Sequence, residues 1–276
     1  MHLGSLYAAA ASYLDARSRG GRWLLRIEDL DRAREAPGSA DGILRTLQRF
    51  GFEWDGAVMR QSERTEAYAA ALEQLANQGL TFQCSCSRLQ LEDDTRYPGH
   101  CRVRPLLAGV STATRLRVEP GSLFLTDRIQ GTYRQDVAAA VGDVILRRRD
   151  QIFAYLLAVV VDDAAQGVTH VLRGADLLDN TPRQMYLQRV LELREPVYAH
   201  VPVLTEPDNA KLAKSSRSVA LDTEPALNQL RRVFSLLGLG ASSELQDASI
   251  AEAWGWAVRV WDANKVPKRL NVRVSS

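Results

Sequence analysis

Three short apolar runs, "RWLLRI" (22–27), "THVLRG" (169–174) and "YAHVPVL" (198–204), stand among long stretches with helical spacing. A chain that passes through a helix before its next strand brings that strand back in the same direction. The alternation therefore predicts an α/β fold, a parallel sheet with helices on its faces. Ligands of such sheets gather beyond the carboxyl ends of the strands. That rule nominates Glu28 and Asp29 after the first run, and Arg173 and Asp176 after 169–172. It also nominates His2 and Gly4 at the head of the first helix and the loop "KLAKS" (211–215).

The helical segments carry their own punctuation. Residues 5–18 form an Ala-rich stretch. "ADGILRTLQRFG" places Ile43, Leu44, Leu47 and Phe50 on one face, with Gly51 as a stop. The next helix shows Tyr68, Leu72 and Leu75 and ends at Gly79. "NTPRQMYLQRVLEL" offers Asn180 or Thr181 as its cap and Pro182 in its first turn. Between 82 and 150 the pattern changes to short β-like pieces, "TRLRV", "SLFLTDRI" and "GTYRQDV". The expected organisation is a main α/β domain over 1–81 and 161–222, an insertion over 82–160 and a helical extension over 223–276.

A net charge of +2 argues against a generic polyanion binder but allows a local basic face. "RRRD" (147–150) and "HCRVR" (100–104) are such clusters, each most simply a solvated surface. The longest uncharged apolar run, "IFAYLLAVVV", is about ten residues and suits a core better than a membrane. The start carries no basic-then-apolar leader, so a cytoplasmic protein with no membrane partner is expected. Of 35 basic residues 31 are Arg, and two of the four Lys, Lys211 and Lys214, fall in "KLAKS". A compact charge on a flexible stem suits a triphosphate clamp there; the bland alternative is a solvated loop.

Other constellations point the same way. "HLGS" puts His2 and Gly4 where a helix N-terminus attracts phosphate, although alone it is a common tetrapeptide. Cys84, Cys86 and Cys101 have the spacing of a structural zinc site rather than of a secreted disulfide framework. Chemistry nominates His100 as the fourth ligand, with Tyr97 the less usual option. Glu28, Tyr155 and Arg173 combine a carboxylate for an ammonium, a phenol and a guanidinium for a carboxylate. They suit an acidic amino acid; a structural ion pair beside a core tyrosine is the bland alternative.

Taken in order, "HLGS … RIEDLD … GFEWDG … C.C … Y … C … FAYLLAVVVDD … GVTHVLRGADLL … TPRQ … KLAKS" resembles the class I glutamyl-tRNA synthetase family over most of residues 2–222. Within it the chain looks most like the branch that lacks the anticodon-binding domain, the glutamyl-Q tRNA(Asp) synthetases. The resemblance implies a Rossmann-like catalytic domain with a zinc-bearing insertion. His2 and Gly4 match the HIGH signature, with Ser5 replacing its second histidine. Lys211 and Lys214 match the KMSKS signature, with Ala213 in place of its first serine. Glu28, Tyr155 and Arg173 fall on glutamate-binding positions, and Cys84, Cys86, Tyr97 and Cys101 on the zinc ligands. The implied reaction activates glutamate with ATP and Mg²⁺ and passes it to queuosine at the wobble position of tRNA(Asp), by a monomeric ligase. A shortened enzyme charging tRNA(Glu) and an impaired tRNA-binding relic stay open as alternatives. The family's "RFAPSPTG"-type strand has no counterpart ahead of His2. Met1 is accordingly expected to be an internal methionine, and the form without that strand to activate glutamate poorly.

Overall fold

The computed structural model describes residues 1–31, 35–87, 89–91, 96–104, 109–205, 221, 224–240 and 243–274. The chain begins with α1 (Leu3–Arg17). It continues through β1 (Arg26–Ile27), α2 (Ser39–Arg49), β2 (Met59–Arg60) and α3 (Thr65–Asn77). The segment expected to differ supplies β3 (Thr81–Cys84), β4 (Ala113–Leu116), β5 (Ser122–Asp127), β6 (Gly131–Asp136), the short α4 (Val137–Ala140) and β7 (Val144–Arg147). Alternation then resumes with α5 (Tyr155–Ala165), β8 (His170–Gly174), α6 (Thr181–Val190), β9 (Val197–Val201) and β10 (Val203–Thr205). Helices α7 (Ala226–Leu236) and α8 (Ile250–Val260) and the strand β11 (Asn271–Arg273) follow.

The expected parallel pairing is present, but divided. β1 pairs with β2, β8 with β9 and β10 with β11, all parallel. The run 22–27 is in strand register only at its last two residues, although the Leu25 carbonyl accepts from the Met59 N–H at 3.2 Å and the Trp23 carbonyl from the Asp55 N–H at 2.9 Å. Upstream, the Trp23 N–H binds the Asp55 carboxylate at 2.7 Å instead of a neighbouring strand. A cavity of about 480 Å³ lies among 21–24, 166–170 and the later turns of α1. Pro202 splits the third run, so 197–201 and 203–205 pair with different strands. The middle segment is antiparallel, as a sheet β3–β4–β7 and a hairpin β5–β6.

Several local expectations are corrected. Ile43 is 39% exposed, so the buried face of α2 rests on Leu47 and Phe50. Asn180 stands at the N-cap of α6 but its side chain makes no capping bond, because a 3₁₀ turn over 175–180 runs straight into the helix. Thr181 instead donates its hydroxyl back to the Leu177 carbonyl at 3.1 Å. β11 lies in a tail expected to be helical. One apolar cluster joins α1, the end of α2, β9, α7 and α8; another joins α3, the middle sheets, α5 and α6. Among the described residues no helix is long and apolar enough to cross a membrane.

Candidate active site

Glu28 follows β1 directly, Arg173 closes β8 and Tyr155 opens α5. The fold brings the three together. The charges of Glu28 and Arg173 both act on the Tyr155 hydroxyl, and Arg173 also acts on Glu28. Burial pushes the Glu28 carboxyl above its ordinary value, Asp163 adds to this, and Arg26 and Arg173 oppose it. Burial also raises the Tyr155 phenol, helped by Glu28, so the hydroxyl stays protonated and can donate. Arg26 sets the local frame, 2.8 Å from Asp163 and 3.6 Å from Glu28. Tyr155 is still 38% exposed. It borders a cavity of about 330 Å³ shared with Gln184, Arg183, Asn180 and Tyr97.

Arg173 is held tightly. Its Nη2 donates to Thr181 Oγ1 at 2.9 Å and Gln184 Oε1 at 2.7 Å, and its Nε to His200 Nε2 at 3.1 Å. Among the described residues no group accepts a hydrogen bond from its Nη1, which leaves those N–H groups for a ligand carboxylate. Thr181, Gln184, His200 and Arg26 are not among the residues that the sequence nominates for the site. The recoverable signal was register, since His200 on β9 is the direct strand partner of Arg173 on β8.

At the head of α1 the His2 imidazole folds over the first turn. Its Nδ1 accepts from the Ser5 N–H at 3.3 Å and its Nε2 meets Ser5 Oγ at 3.0 Å. A Cβ on Gly4 would press on this ring at 3.2 Å, so the glycine makes room for the cap. The last turns of α1 and the entry to β8 line one cavity. The helix therefore runs against β8, and His2 starts at the end where Arg173 stands. Lys211 and Lys214 lie outside the described residues.

The three cysteine sulfurs lie within 4.8 Å of one another. Cys86 and Cys101 Sγ are 3.5 Å apart. The Tyr97 hydroxyl accepts from the Cys101 N–H at 3.0 Å; burial raises its pKa, and the Cys84 and Cys101 thiols beside it add to this. His100 is not in the cluster. Burial opposes ionisation of Cys101, but the Ser85 N–H and the Cys86, Tyr97 and Cys84 groups bring it down to about 6. Burial and the neighbouring sulfurs push Cys86 up to about 12. One easily ionised thiol among crowded partners fits a cation-binding donor set.

Residues 1–102 and 108–238 match the family described as tRNA synthetases class I (E and Q), catalytic domain. The chain belongs to that family. A glutamyl-Q tRNA(Asp) synthetase from Pseudomonas aeruginosa is 54% identical over 269 residues, covering 97% of this chain and 92% of that protein. Its namesake from Pseudomonas syringae pv. tomato is 48% identical over 273 residues, covering 99% and 92%. A solved glutamate tRNA ligase from Elizabethkingia meningosepticum, in complex with its amino acid, superposes with a TM-score of 0.82 at 23% identity. It contains the fold of the whole chain, which spans 64% of its length.

The basic clusters of this class I tRNA synthetase are largely occupied internally. Arg148 pairs with Asp31 at 2.8 Å and with Asp150, and Arg149 donates to the Ser111 carbonyl. Arg147 lies over the Phe153 ring, and Arg102 is clamped on Asp143. In the synthetase these arginines fasten loops to the body of the protein, which departs from the solvated surfaces expected of both clusters.

Proposed function

We propose that the protein activates L-glutamate with ATP and transfers it to queuosine at the wobble position of tRNA(Asp). The observation that carries this reading is the convergence of Glu28, Tyr155 and Arg173 at the carboxyl ends of β1 and β8. Relatives named for that reaction at about half identity over nearly the full chain support it. Glu28 takes the substrate ammonium, Tyr155 donates a directional hydrogen bond and Arg173 takes the side-chain carboxylate. That assignment frees the α-carboxylate to attack the α-phosphorus of ATP. The bond to the bridging oxygen breaks and pyrophosphate leaves.

His2 and the N-terminus of α1 meet the phosphates, while Lys211 and Lys214 balance the charge that builds on the leaving group. ATP enters as its magnesium complex. In the second step a hydroxyl of the queuosine ring attacks the acyl carbon and AMP departs. The chain's residues act by positioning and charge stabilisation, with no covalent enzyme intermediate. Cys84, Cys86, Cys101 and Tyr97 would hold one zinc ion, whose contribution is to tie the β3 loop together.

The deciding experiment combines glutamate-dependent ATP–pyrophosphate exchange with transfer of labelled glutamate. Label is expected on queuosine-bearing tRNA(Asp), and not on tRNA(Asp) lacking queuosine or on tRNA(Glu). Label on tRNA(Glu) would assign the chain to the charging reaction instead. Absence of exchange would remove the activation step altogether.

A further inference from the structure

Behind Arg173 stands a buried pair that neither the signatures nor the substrate contacts explain. His200 and Asp127 are both fully enclosed, and His200 Nδ1 lies 2.6 Å from Asp127 Oδ2. The other carboxylate oxygen accepts the backbone N–H groups of Ile129 at 3.0 Å, Gln130 at 2.8 Å and His200 itself at 3.1 Å. Burial raises the carboxyl, but these donors and the imidazole outweigh it and keep Asp127 ionised. An ionised carboxylate only accepts, so the proton between the two belongs to Nδ1.

The opposite side of the ring is fixed as firmly. Arg173 Nε is a permanent donor, and it points at Nε2 from 3.1 Å. Nε2 must therefore be bare. The imidazole is locked as the neutral Nδ1–H tautomer from both ends. It hands the orientation of an immobile carboxylate on β5, across β9, to a guanidinium on β8. Thr181 and Gln184 from α6 fix Nη2, so the guanidinium plane has no free rotation left.

We infer that Asp127 and His200 are positioning residues that aim Arg173 at the substrate's side-chain carboxylate, and that protonation of His200 undoes this aim. The inference rests on the reading of Arg173 given above. A proton on Nε2 would set donor against donor at the Arg173 contact. The groups facing the ring are Asp127 from β5, Arg173 from β8, Thr181 from α6, Asp176 from the 3₁₀ turn, and Tyr198, stacked on it from the same strand. Burial lowers the imidazole below its ordinary value and Arg173 adds to this, against Asp127 and Asp176. The ring thus stays neutral through the physiological range and charges only in acid.

The test measures glutamate-dependent ATP–pyrophosphate exchange in the full chain across roughly pH 5–8. His200→Asn keeps a polar group near Nδ1 but loses the acceptor at Nε2. It should raise KM for glutamate about tenfold or more, with KM for ATP and kcat nearly unchanged. His200→Gln places an amide oxygen near the Nε2 position. It should recover most of that loss and flatten the acid-side rise in KM expected of the wild type. Glutamate KM values unmoved in both variants would overturn the positioning role. Absence of glutamate-dependent exchange in the wild type would instead overturn the reading of the whole site. A measurement on unmutated protein guards against misfolding of the variants. The chain has four histidines, so ¹⁵N imidazole spectra can resolve His200. A bare Nε2 and a protonated Nδ1 at neutral pH are expected, and a protonated Nε2 would overturn the proposal.

Discussion

Arg173 engages Thr181, Gln184 and His200, and among the described residues nothing accepts from its Nη1, the nitrogen proposed to meet the substrate. A lysine ammonium is a point donor and cannot serve all of these at once. Arg173→Lys should therefore raise KM for glutamate by roughly 10–100-fold, the value of a hydrogen bond to a charged group, as read in exchange assays. Glu28 gives a different signature. Its carboxyl is raised by partial desolvation beside Asp163, an effect softened because 41% of the side chain stays exposed, so the folded protein holds that proton somewhat more readily than the unfolded chain does. Its ionised form destabilises the fold; the penalty is absent below the unfolded value and grows as pH rises through the folded one. Glu28→Gln should thus unfold at a higher urea concentration than the wild type at pH 7, while glutamate activation is lost. The residues proposed to face glutamate were legible because their types match its charges. Asp127, His200 and Gln184 were not. Strand alternation alone reports burial, and only the pairing of β8 with β9 sets His200 beside Arg173.

The β3–β4–β7 sheet and the cysteine loop show how one element depends on a neighbour's backbone. Gly142 has φ +75°, and a Cβ there would run into the Tyr97 carbonyl. The Tyr97 N–H in turn donates to the Val141 carbonyl at 2.8 Å. This close approach places the Tyr97 hydroxyl among the thiols, which sequence spacing could not decide against His100. Metal analysis of purified variants should separate the two. Tyr97→Phe is expected to hold less zinc than the wild type, and His100→Ala an equal amount. Gly142→Ala should cost about 1–3 kcal/mol in denaturant melts and lower zinc content as well, because strain at that position displaces Tyr97. The longer helices were legible, for apolar spacing and terminal glycines such as Gly51 are local signals, whereas the one-turn α4 fell where only β-like pieces were expected. Strand ends were not, since the Asp55 side chain and Pro202 redirect backbone bonds that alternation cannot foresee.

Asp15 ties distant parts of the chain to α1. Arg128 binds its two oxygens at 2.7 and 2.9 Å, and the Trp261 indole donates to it at 3.2 Å. One buried carboxylate thereby fastens the β5–β6 turn and the end of α8 to the first helix. The same surfaces share a core, in which Trp254 packs on Tyr13, Phe52 and Phe234 and donates to the Phe50 carbonyl at 2.8 Å. This linkage has a pH signature. Burial alone would raise the Asp15 carboxyl, but Arg128 and Trp261 hold it below the ordinary aspartate value. The unfolded chain therefore binds the proton more readily. The resulting stability is complete above about pH 4–5 and is lost as pH falls through the folded value. Asp15→Asn should lower the unfolding free energy by about 2–3 kcal/mol at pH 7, since it leaves a partly buried guanidinium without its charge partner. The gap between variant and wild type should close towards pH 3, because the wild-type carboxyl is by then becoming protonated. A gap that stays constant with pH would mean that Asp15 acts through packing alone. If α1 and the C-terminal helices unfold as one unit, tryptophan fluorescence and far-ultraviolet dichroism will follow the same transition in both proteins. Arg173 and the head of α1 then lose their alignment together, and exchange activity should fall along that same curve.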